Sequence, residues 1–115
     1  MTIGGVIYID VDGTLISEDG TDRLFPAMKK LLPLLKNCGY TMYLWSMGGA
    51  EYAKSVARKH KVMKYFKAFL SKPDIVVDDH FESFAHWKPL KSGDDAKAED
   101  ILHYFIQIHA KEKND

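Results

Sequence analysis

The chain has 115 residues, with 16 basic and 16 acidic side chains and a single cysteine, Cys38. This length suits one domain over residues 1–115, and a formal net charge of +0 argues against a general polyanion binder. One cysteine excludes an internal disulfide bond and favours a reducing compartment. No apolar run approaches the roughly 20 residues that cross a bilayer, and no signal-peptide pattern precedes the first strand, so we expect a cytoplasmic protein.

The first element along the chain is a strand over residues 3–10. Its near-continuous apolar character predicts burial on both faces of a sheet. Two carboxylates, Asp10 and Asp12, stand where this strand ends, and Gly13-Thr14 follows at once, as a tight exit from a strand requires. Residues 15–25 are mostly polar, so we expect them to form a short flap over the strand end.

The middle of the chain alternates between helix and strand patterns. Pro26 suits the first turn of a helix whose apolar residues follow helical spacing up to a stop at Gly39. A second strand is predicted over residues 40–45, ending at Ser46, and a helix over about residues 50–60. Residues 66–70 predict a short third strand.

The last part of the chain predicts one more strand and one more helix. Residues 74–77 form an apolar run, interpreted as a strand that delivers Asp78 and Asp79 at its carboxyl end. A final helix is predicted over about residues 95–110, with a continuous apolar face. This alternation of strands and helices indicates a mainly parallel sheet with right-handed crossovers.

The carboxyl ends of parallel strands meet at one edge of a sheet, where α/β proteins bind their ligands. The predicted strands bring the pair Asp10 and Asp12, the hydroxyl of Ser46, and the pair Asp78 and Asp79 to that edge. Crowded carboxylates repel one another, and a divalent cation relieves this repulsion. Mg²⁺ prefers oxygen ligands and is satisfied by one or two carboxylates, a substrate phosphate and water. The pattern therefore predicts Mg²⁺ as a cofactor.

The run Asp10-Val11-Asp12-Gly13-Thr14 resembles the first motif of the haloacid dehalogenase-like (HAD) phosphohydrolases, Asp-x-Asp-Gly-Thr, and matches it fully. The resemblance spans about residues 5–80. It implies a single Rossmann-like, three-layer α/β domain with a mainly parallel sheet. Residues 15–26 and 46–72 are too short for the inserted cap domain of larger members, so we expect an uncapped domain.

The resemblance also implies roles for individual residues. Asp10 would be the nucleophile that forms an aspartyl-phosphate, and Asp12 the general acid and base. Ser46 would hold the phosphoryl oxygens together with the amides that follow it. Asp10, Asp78 and the backbone carbonyl of Asp12 would bind Mg²⁺, supported by Asp79. The function implied is that of a Mg²⁺-dependent phosphatase acting on phosphoric monoesters.

The third motif of that family is a lysine that balances phosphoryl charge, and here sequence geometry disagrees with the pattern. Lys72-Pro73 matches as a dipeptide. However, an extended run over residues 74–77, at about 3.3 Å per residue, separates Lys72 from Asp78 by roughly 20 Å. Lys72 is therefore expected at the opposite edge of the sheet, and Lys72→Ala is expected to keep kcat within about tenfold. Lys54, on the second helix, is a substitute, although its place beyond the first helical turn is also not ideal.

Two alternatives to a phosphatase stay open from the sequence. A non-enzymatic module that binds phosphate or metal could use the same fold, and the lack of a well-placed lysine favours it. A phosphoacceptor receiver domain also gathers aspartates at strand ends, but its acceptor would lie on a later strand. The expected partner is a phosphorylated substrate, either a small molecule or the accessible end of a larger one, and no membrane is expected. The sequence does not exclude nucleic acid, and it leaves a homo-oligomer open.

A basic stretch, rich in lysine and arginine and without acids, covers residues 52–73. It is compatible with an ordinary solvated surface. It is also compatible with a surface that guides an anionic substrate electrostatically, which would make binding sensitive to salt.

Overall fold

The computed structural model describes residues 4–80 together with residues 103, 104 and 107. The first part holds three strands and two α-helices in alternation, followed by a helical conformation at His103, Tyr104 and Gln107. The elements are β1 (Gly5–Asp10), α1 (Pro26–Asn37), β2 (Tyr40–Ser46), α2 (Ala50–Lys59), a 3₁₀ turn (Met63–Tyr65) and β3 (Phe66–Ser71).

The three strands form one parallel sheet in the order β1-β2-β3. Asp10 of β1 is paired with Trp45 of β2, and Ser46 is paired with Ser71 of β3. The strands therefore end side by side. The α/β class and the parallel sheet predicted from the sequence are confirmed.

The hydrophobic core lies between one face of the sheet and the two α-helices. Along β2 buried residues alternate with half-buried ones, and the buried set begins at Tyr40 and ends at Ser46. The helices contribute apolar side chains at helical spacing from one face each, namely Met28, Leu31, Leu32, Leu35, Ala53, Val56 and Ala57. Burial of these side chains at about 25 cal/mol per Å² is the main favourable term that holds the helices on the sheet.

The prediction that β1 is buried on both faces is wrong. Val6 and Tyr8 are 62% and 47% exposed, whereas Ile9 lies in the core. Both α-helices pack on the face that carries Ile9 and Leu44. An apolar run permits a strand to be buried on both faces, but the packing of other elements determines which faces are covered.

The prediction of a strand over residues 74–77 is also wrong. These residues have no strand conformation, and Ile75 and Val77 are 81% and 94% exposed. The strand that follows α2 is β3, and it ends at Ser71. Pro73 lacks the backbone N–H that a ladder needs, so pairing along β2 stops before it. A short apolar run alone does not determine which segment joins the sheet.

Helix α1 shows how local chemistry sets the helix bounds. Pro26 occupies its first turn, where a missing N–H costs nothing, and the helix continues through Pro33. It ends before Gly39, whose φ of +87° is a conformation that glycine adopts without strain. Its 12 residues make it the longest described helix, and no helix in the described part of the chain is long and apolar enough to cross a membrane.

The predicted final helix over about residues 95–110 lies mostly outside the described residues. His103, Tyr104 and Gln107 are helical, and His103 and Gln107 are exposed whereas Tyr104 is half-buried.

Candidate functional site

The site begins at the edge of the sheet where the three strands end. Asp10 and Ser46 are the last residues of β1 and β2, and Lys72 directly follows the last residue of β3. The backbone N–H of Lys72 donates to the carbonyl of Ser46 at 2.9 Å, which fixes the exit of β3 beside that of β2. The predicted meeting of Asp10 and Ser46 at one edge follows directly from the parallel register.

Lys72 lies at this edge, and the prediction that it lies at the opposite one is wrong. Its Nζ is 3.0 Å from Oδ1 of Asp10, and both side chains are about one-third exposed or less. The same ammonium group lies 5.7 Å from the centroid of the Trp45 ring, within reach of a cation–π interaction. Charge pairing and the aromatic face together hold Lys72 against Asp10.

The physical reason for this correction is the identity of the last described strand. The expected separation of roughly 20 Å between Lys72 and Asp78 assumed that residues 74–77 are the strand that ends at the site. In the structure residues 66–71 are that strand, so Lys72 stands at its carboxyl end and not at the start of another. Lys72 lies between two apolar runs, and the sequence does not show which of them is the paired strand. A lysine that follows a strand and a lysine that precedes one lie at opposite edges of a parallel sheet.

Asp12 is held by a residue on α2. The hydroxyl of Tyr52 donates to Oδ1 of Asp12 at 2.7 Å. This hydrogen bond, helped by partial burial and by the negative charges of Asp12, Asp22 and Asp10, raises the pKa of Tyr52 to about 12. Tyr52 therefore keeps its proton at neutral pH and acts as a hydrogen-bond donor to the carboxylate.

The turn between β2 and α2 is built around Ser46. The hydroxyl oxygen of Ser46, which is 2% exposed, accepts from the backbone N–H of Gly48 at 2.9 Å, and its carbonyl accepts from that of Gly49 at 3.1 Å. Gly49 has φ of +104°, which disfavours any other residue. The amides of Gly48 and Gly49 are therefore engaged with Ser46 and are not free to bind a ligand.

The side of α2 that meets this turn also carries Tyr52. A Cβ added to Gly48 would lie 3.0 Å from Cδ2 of Tyr52 and 3.3 Å from Oγ of Ser46. The aromatic ring therefore covers the turn at van der Waals distance. Tyr52 thus contacts both polar segments of the site, the turn through its ring and Asp12 through its hydroxyl.

The flap (residues 15–25) is tied to the site at its start and closed by its own hydrogen bonds. Ile16 bridges to Asp12 and to Leu24, and Ile16 is buried. The tip is organised by Asp19, whose Oδ1 accepts from the hydroxyl and the backbone N–H of Thr21 and from the hydroxyl of Ser17. These bonds, the Thr21 hydroxyl first, lower the pKa of Asp19 to about 2.

Asp78 and Asp79 are exposed, and their contacts are local. Oδ1 of Asp78 accepts from the backbone N–H of His80 at 2.8 Å, and Oδ2 of Asp79 lies 3.2 Å from Nδ1 of His80. Among residues 4–80, 103, 104 and 107, no group of three or more His, Cys, Asp or Glu is placed to hold a metal ion. The assignment of Asp78 and Asp79 as metal ligands therefore stays a prediction.

Lys54, the predicted substitute for Lys72, lies two positions after Tyr52 on α2. At 3.6 residues per turn, two positions correspond to about 200° around the helix axis, so Lys54 and Tyr52 project from opposite sides. Within the described residues no ion pair joins Lys54 to Asp10 or Asp12. Among the described residues, Lys72 is the cation paired with Asp10.

The chain belongs to the family described as "Protein of unknown function (DUF705)", whose model matches residues 1–98. No curated protein and no solved structure matches the sequence. The resemblance to the haloacid dehalogenase-like phosphohydrolases is therefore wrong as a family assignment, because the family that the chain matches is a different one. The functional interpretation has to rest on the residues at the strand ends.

Sequence reasoning missed Tyr52, which is the residue in contact with both polar segments. The sequence contains little indication of a functional role for Tyr52, because a tyrosine in the first turn of a half-buried helix is usually a packing residue. The nearby Gly48-Gly49 pair was the available indication. Two glycines before a helix allow a large side chain of the first turn to fold back over the loop.

Proposed function

We propose that the protein is a Mg²⁺-dependent phosphatase that hydrolyses phosphoric monoesters through an aspartyl-phosphate on Asp10. The observation that carries the proposal is the 3.0 Å contact between the ammonium of Lys72 and the carboxylate of Asp10, at the edge where Ser46 also ends its strand. A carboxylate nucleophile attacks an anionic phosphoryl group only where cations offset the repulsion between them. The pair supplies the nucleophile and one such cation together.

The reaction would proceed in two displacements at phosphorus. A carboxylate oxygen of Asp10 forms a bond to phosphorus while the bond to the ester oxygen breaks, and Asp12 gives that oxygen a proton. Water then attacks the aspartyl-phosphate, Asp12 takes a proton from the water, and the bond between Asp10 and phosphorus breaks. The products are an alcohol or phenol and inorganic phosphate, and both aspartates return to their starting state.

Lys72 and Ser46 would stabilise the charge that collects on the phosphoryl oxygens. The ammonium of Lys72 is already at the nucleophile and is partly shielded from water by Trp45. The hydroxyl of buried Ser46 donates from the adjacent strand end. Donors that are fixed in place before the reaction do not have to reorganise, which makes such groups worth several kcal/mol in a water-poor site.

The donor set fits Mg²⁺. Oδ1 of Asp10 is paired with Lys72, and within the described residues its Oδ2 has no partner, nor does the backbone carbonyl of Asp12. That carboxylate oxygen and that carbonyl, with a substrate phosphate and water, would satisfy the preference of Mg²⁺ for oxygen ligands. When bound, the cation would screen the phosphoryl group from the aspartates. Asp78 and Asp79 are the proposed further ligands.

The finer architecture that we propose is a single Rossmann-like domain of three layers, without a cap domain. The face of the sheet that carries Val6 and Tyr8 is open to solvent. The predicted helix over about residues 95–110 has an apolar face that could cover it. The exposed His103 and Gln107 lie one turn apart, on a single face of that helix, and Tyr104 is half-buried.

The alternative of a non-enzymatic binding module lost its main support when Lys72 was found beside Asp10. That alternative relied on the lack of a placed lysine. Lys72 would still serve a protein that only binds phosphate, so turnover is the measurement that separates the two functions.

The decisive experiment is hydrolysis of a chromogenic aryl phosphate with and without Mg²⁺, for wild type and Asp10→Asn. We expect Mg²⁺-dependent turnover by wild type and none by the variant, because a carboxamide is nearly isosteric but a poor nucleophile. Thermal denaturation of both proteins shows that the fold is retained. Asp78→Asn, measured in parallel, tests whether turnover also needs a carboxylate outside the pair of Asp10 and Lys72. Turnover by Asp10→Asn, or phosphate binding without turnover by wild type, would contradict the proposal.

A further inference from the structure

Tyr52 bridges the two polar segments of the site, and its hydroxyl contacts one particular oxygen of Asp12. The 2.7 Å hydrogen bond joins residues 40 positions apart in the chain, one just beyond the end of β1 and one in the first turn of α2. It is the hydrogen bond that ties the side chain of Asp12 to the rest of the described structure. Without it the carboxylate could rotate about its side-chain torsions.

The ring of Tyr52 gives that hydroxyl a defined position. Cδ2 of the ring lies 3.0 Å from the place where a Cβ of Gly48 would be, so a side chain at this position would push the ring away from the turn by a few tenths of an ångström. The hydroxyl of Ser55 donates to the backbone carbonyl of Tyr52 at 2.7 Å. The hydroxyl of Tyr52 is therefore held towards Asp12 by a helix whose first turn packs on the turn that contains Ser46.

We infer that Tyr52 is a positioning residue for Asp12, which fixes the carboxylate and leaves its Oδ2 as the oxygen that carries the transferred proton. Oδ1 accepts from Tyr52, so a proton on Oδ1 would have to displace that donor. In the first displacement the proton moves from Oδ2 to the ester oxygen as the bond between phosphorus and that oxygen breaks. This inference rests on the proposed function and adds to it the group that controls its acid step.

If Tyr52 positions Asp12, the loss of rate on removing its hydroxyl depends on the leaving group of the substrate. An alkoxide leaving group needs the proton of Asp12, whereas a nitrophenolate leaves readily without one. A misplaced Asp12 should therefore slow the hydrolysis of alkyl phosphates far more than that of nitrophenyl phosphate. A role in folding alone would lower both rates by the same factor, through the fraction of folded protein.

The experiment compares kcat/KM of wild type, Tyr52→Phe and Tyr43→Phe for nitrophenyl phosphate, phenyl phosphate and an alkyl phosphate, with saturating Mg²⁺. Tyr52→Phe keeps the ring over Gly48 and removes the hydroxyl alone. Tyr43→Phe removes the hydroxyl of another half-buried tyrosine, on β2. We expect Tyr52→Phe to lose about 10- to 100-fold on the alkyl phosphate, the effect of one hydrogen bond to a charged group, and less than about threefold on nitrophenyl phosphate. Tyr43→Phe should match wild type on all three.

Any other result contradicts either the role of Tyr52 or the proposed function. Equal losses on all three substrates, or no loss on any, would overturn the role of Tyr52 while leaving the phosphatase intact. Loss of folding by Tyr52→Phe, seen in thermal denaturation, would assign the hydroxyl to stability and overturn it as well. If wild type hydrolyses none of the three, the proposed function is wrong and the inference falls with it.

Discussion

Among single residues, Lys72 has the largest influence on what Asp10 can do. The carboxylate of Asp10 is two-thirds shielded from solvent, and the Lys72 ammonium at 3.0 Å offsets its charge. The half-buried Trp45 ring beside the lysine reduces competition from water for the same ammonium. An exposed ion pair contributes little to stability, but under the proposed function this pair would act on the transition state and not only on the fold.

Lys72→Ala is expected to lower kcat/KM for an aryl phosphate by on the order of 10²-fold or more, since it removes a cation that offsets phosphoryl charge. This reverses the tenfold limit expected from the sequence, which depended on the wrong strand. Lys54→Ala is the matched control and should stay within about threefold, because Lys54 projects away from the site. The measurement is steady-state kinetics with Mg²⁺. A Lys72→Ala variant as active as Lys54→Ala would show that the ion pair has no catalytic role.

Among the elements, α2 depends on β3 for the start of its first turn. Its N-cap residue, Gly49, has no side chain to accept from the free amides. The hydroxyl oxygen of Ser71 accepts from the backbone N–H of Ala50 at 3.0 Å, across 21 positions of sequence. The residue before Lys72 therefore caps the helix that carries Tyr52. This links the two sides of the site through one hydrogen bond.

Ser71→Ala is expected to lower the free energy of unfolding by about 1 kcal/mol, the typical cost of losing a helix cap. Ser55→Ala is the control on the same helix. It removes a hydroxyl that donates to an exposed carbonyl and should change stability by less than about 0.5 kcal/mol. Urea unfolding measures both, and an unchanged slope confirms that the denatured state is comparable. Equal values for the two variants would show that Ser71 is not the cap.

The flap provides a prediction about pH. Because the folded-state pKa of Asp19 is lowered to about 2 from its ordinary value of 3.8, its contribution to stability is present above pH 3.8 and is lost as the pH falls towards 2. Asp19→Asn should therefore be less stable than wild type at neutral pH. Thermal denaturation across this range should show the two proteins converging as the pH falls. A difference that is independent of pH would mean that the charge of Asp19 does not hold the flap.

For the molecule as a whole, the strand ends concentrate negative charge on one edge. Asp10, Asp12 and Asp22 all act on Tyr52 and reinforce the rise of its pKa. Lys72 offsets part of this charge, and the rest favours a bound cation. The basic stretch over residues 52–73 lies on α2, the 3₁₀ turn and β3, and Lys72 is its member at the site. A role for the remaining cations in guiding an anionic substrate stays a prediction.

Mg²⁺ is expected to raise the thermal stability of the folded chain. A ligand that binds the folded state alone stabilises it by RT ln(1 + [L]/Kd), which is about 2.7 kcal/mol at 100 times Kd. Asp10→Asn should remove most of the response, and Asp78→Ala should reduce it if Asp78 completes the site. Thermal denaturation with Mg²⁺, and with Na⁺ at equal ionic strength, is the measurement. Asp78→Ala with a full response would exclude Asp78 as a ligand.

The sequence determined the α/β class, the bounds of most elements and the meeting of Asp10 with Ser46. Each of these follows from local information. Apolar spacing distinguishes strand from helix, glycine and proline mark the ends, and parallel strands place their carboxyl ends at one edge.

Only the tertiary structure decided which apolar run paired with β2, and therefore where Lys72 lies. Residues 66–71 and 74–77 are both short and apolar, and their sequences do not distinguish a paired strand from an unpaired segment. The hydrogen bond of Tyr52 to Asp12 was equally beyond the sequence, because it joins groups 40 positions apart. Pairing and packing are long-range, and one residue's place relative to a strand end determines which edge its charge occupies.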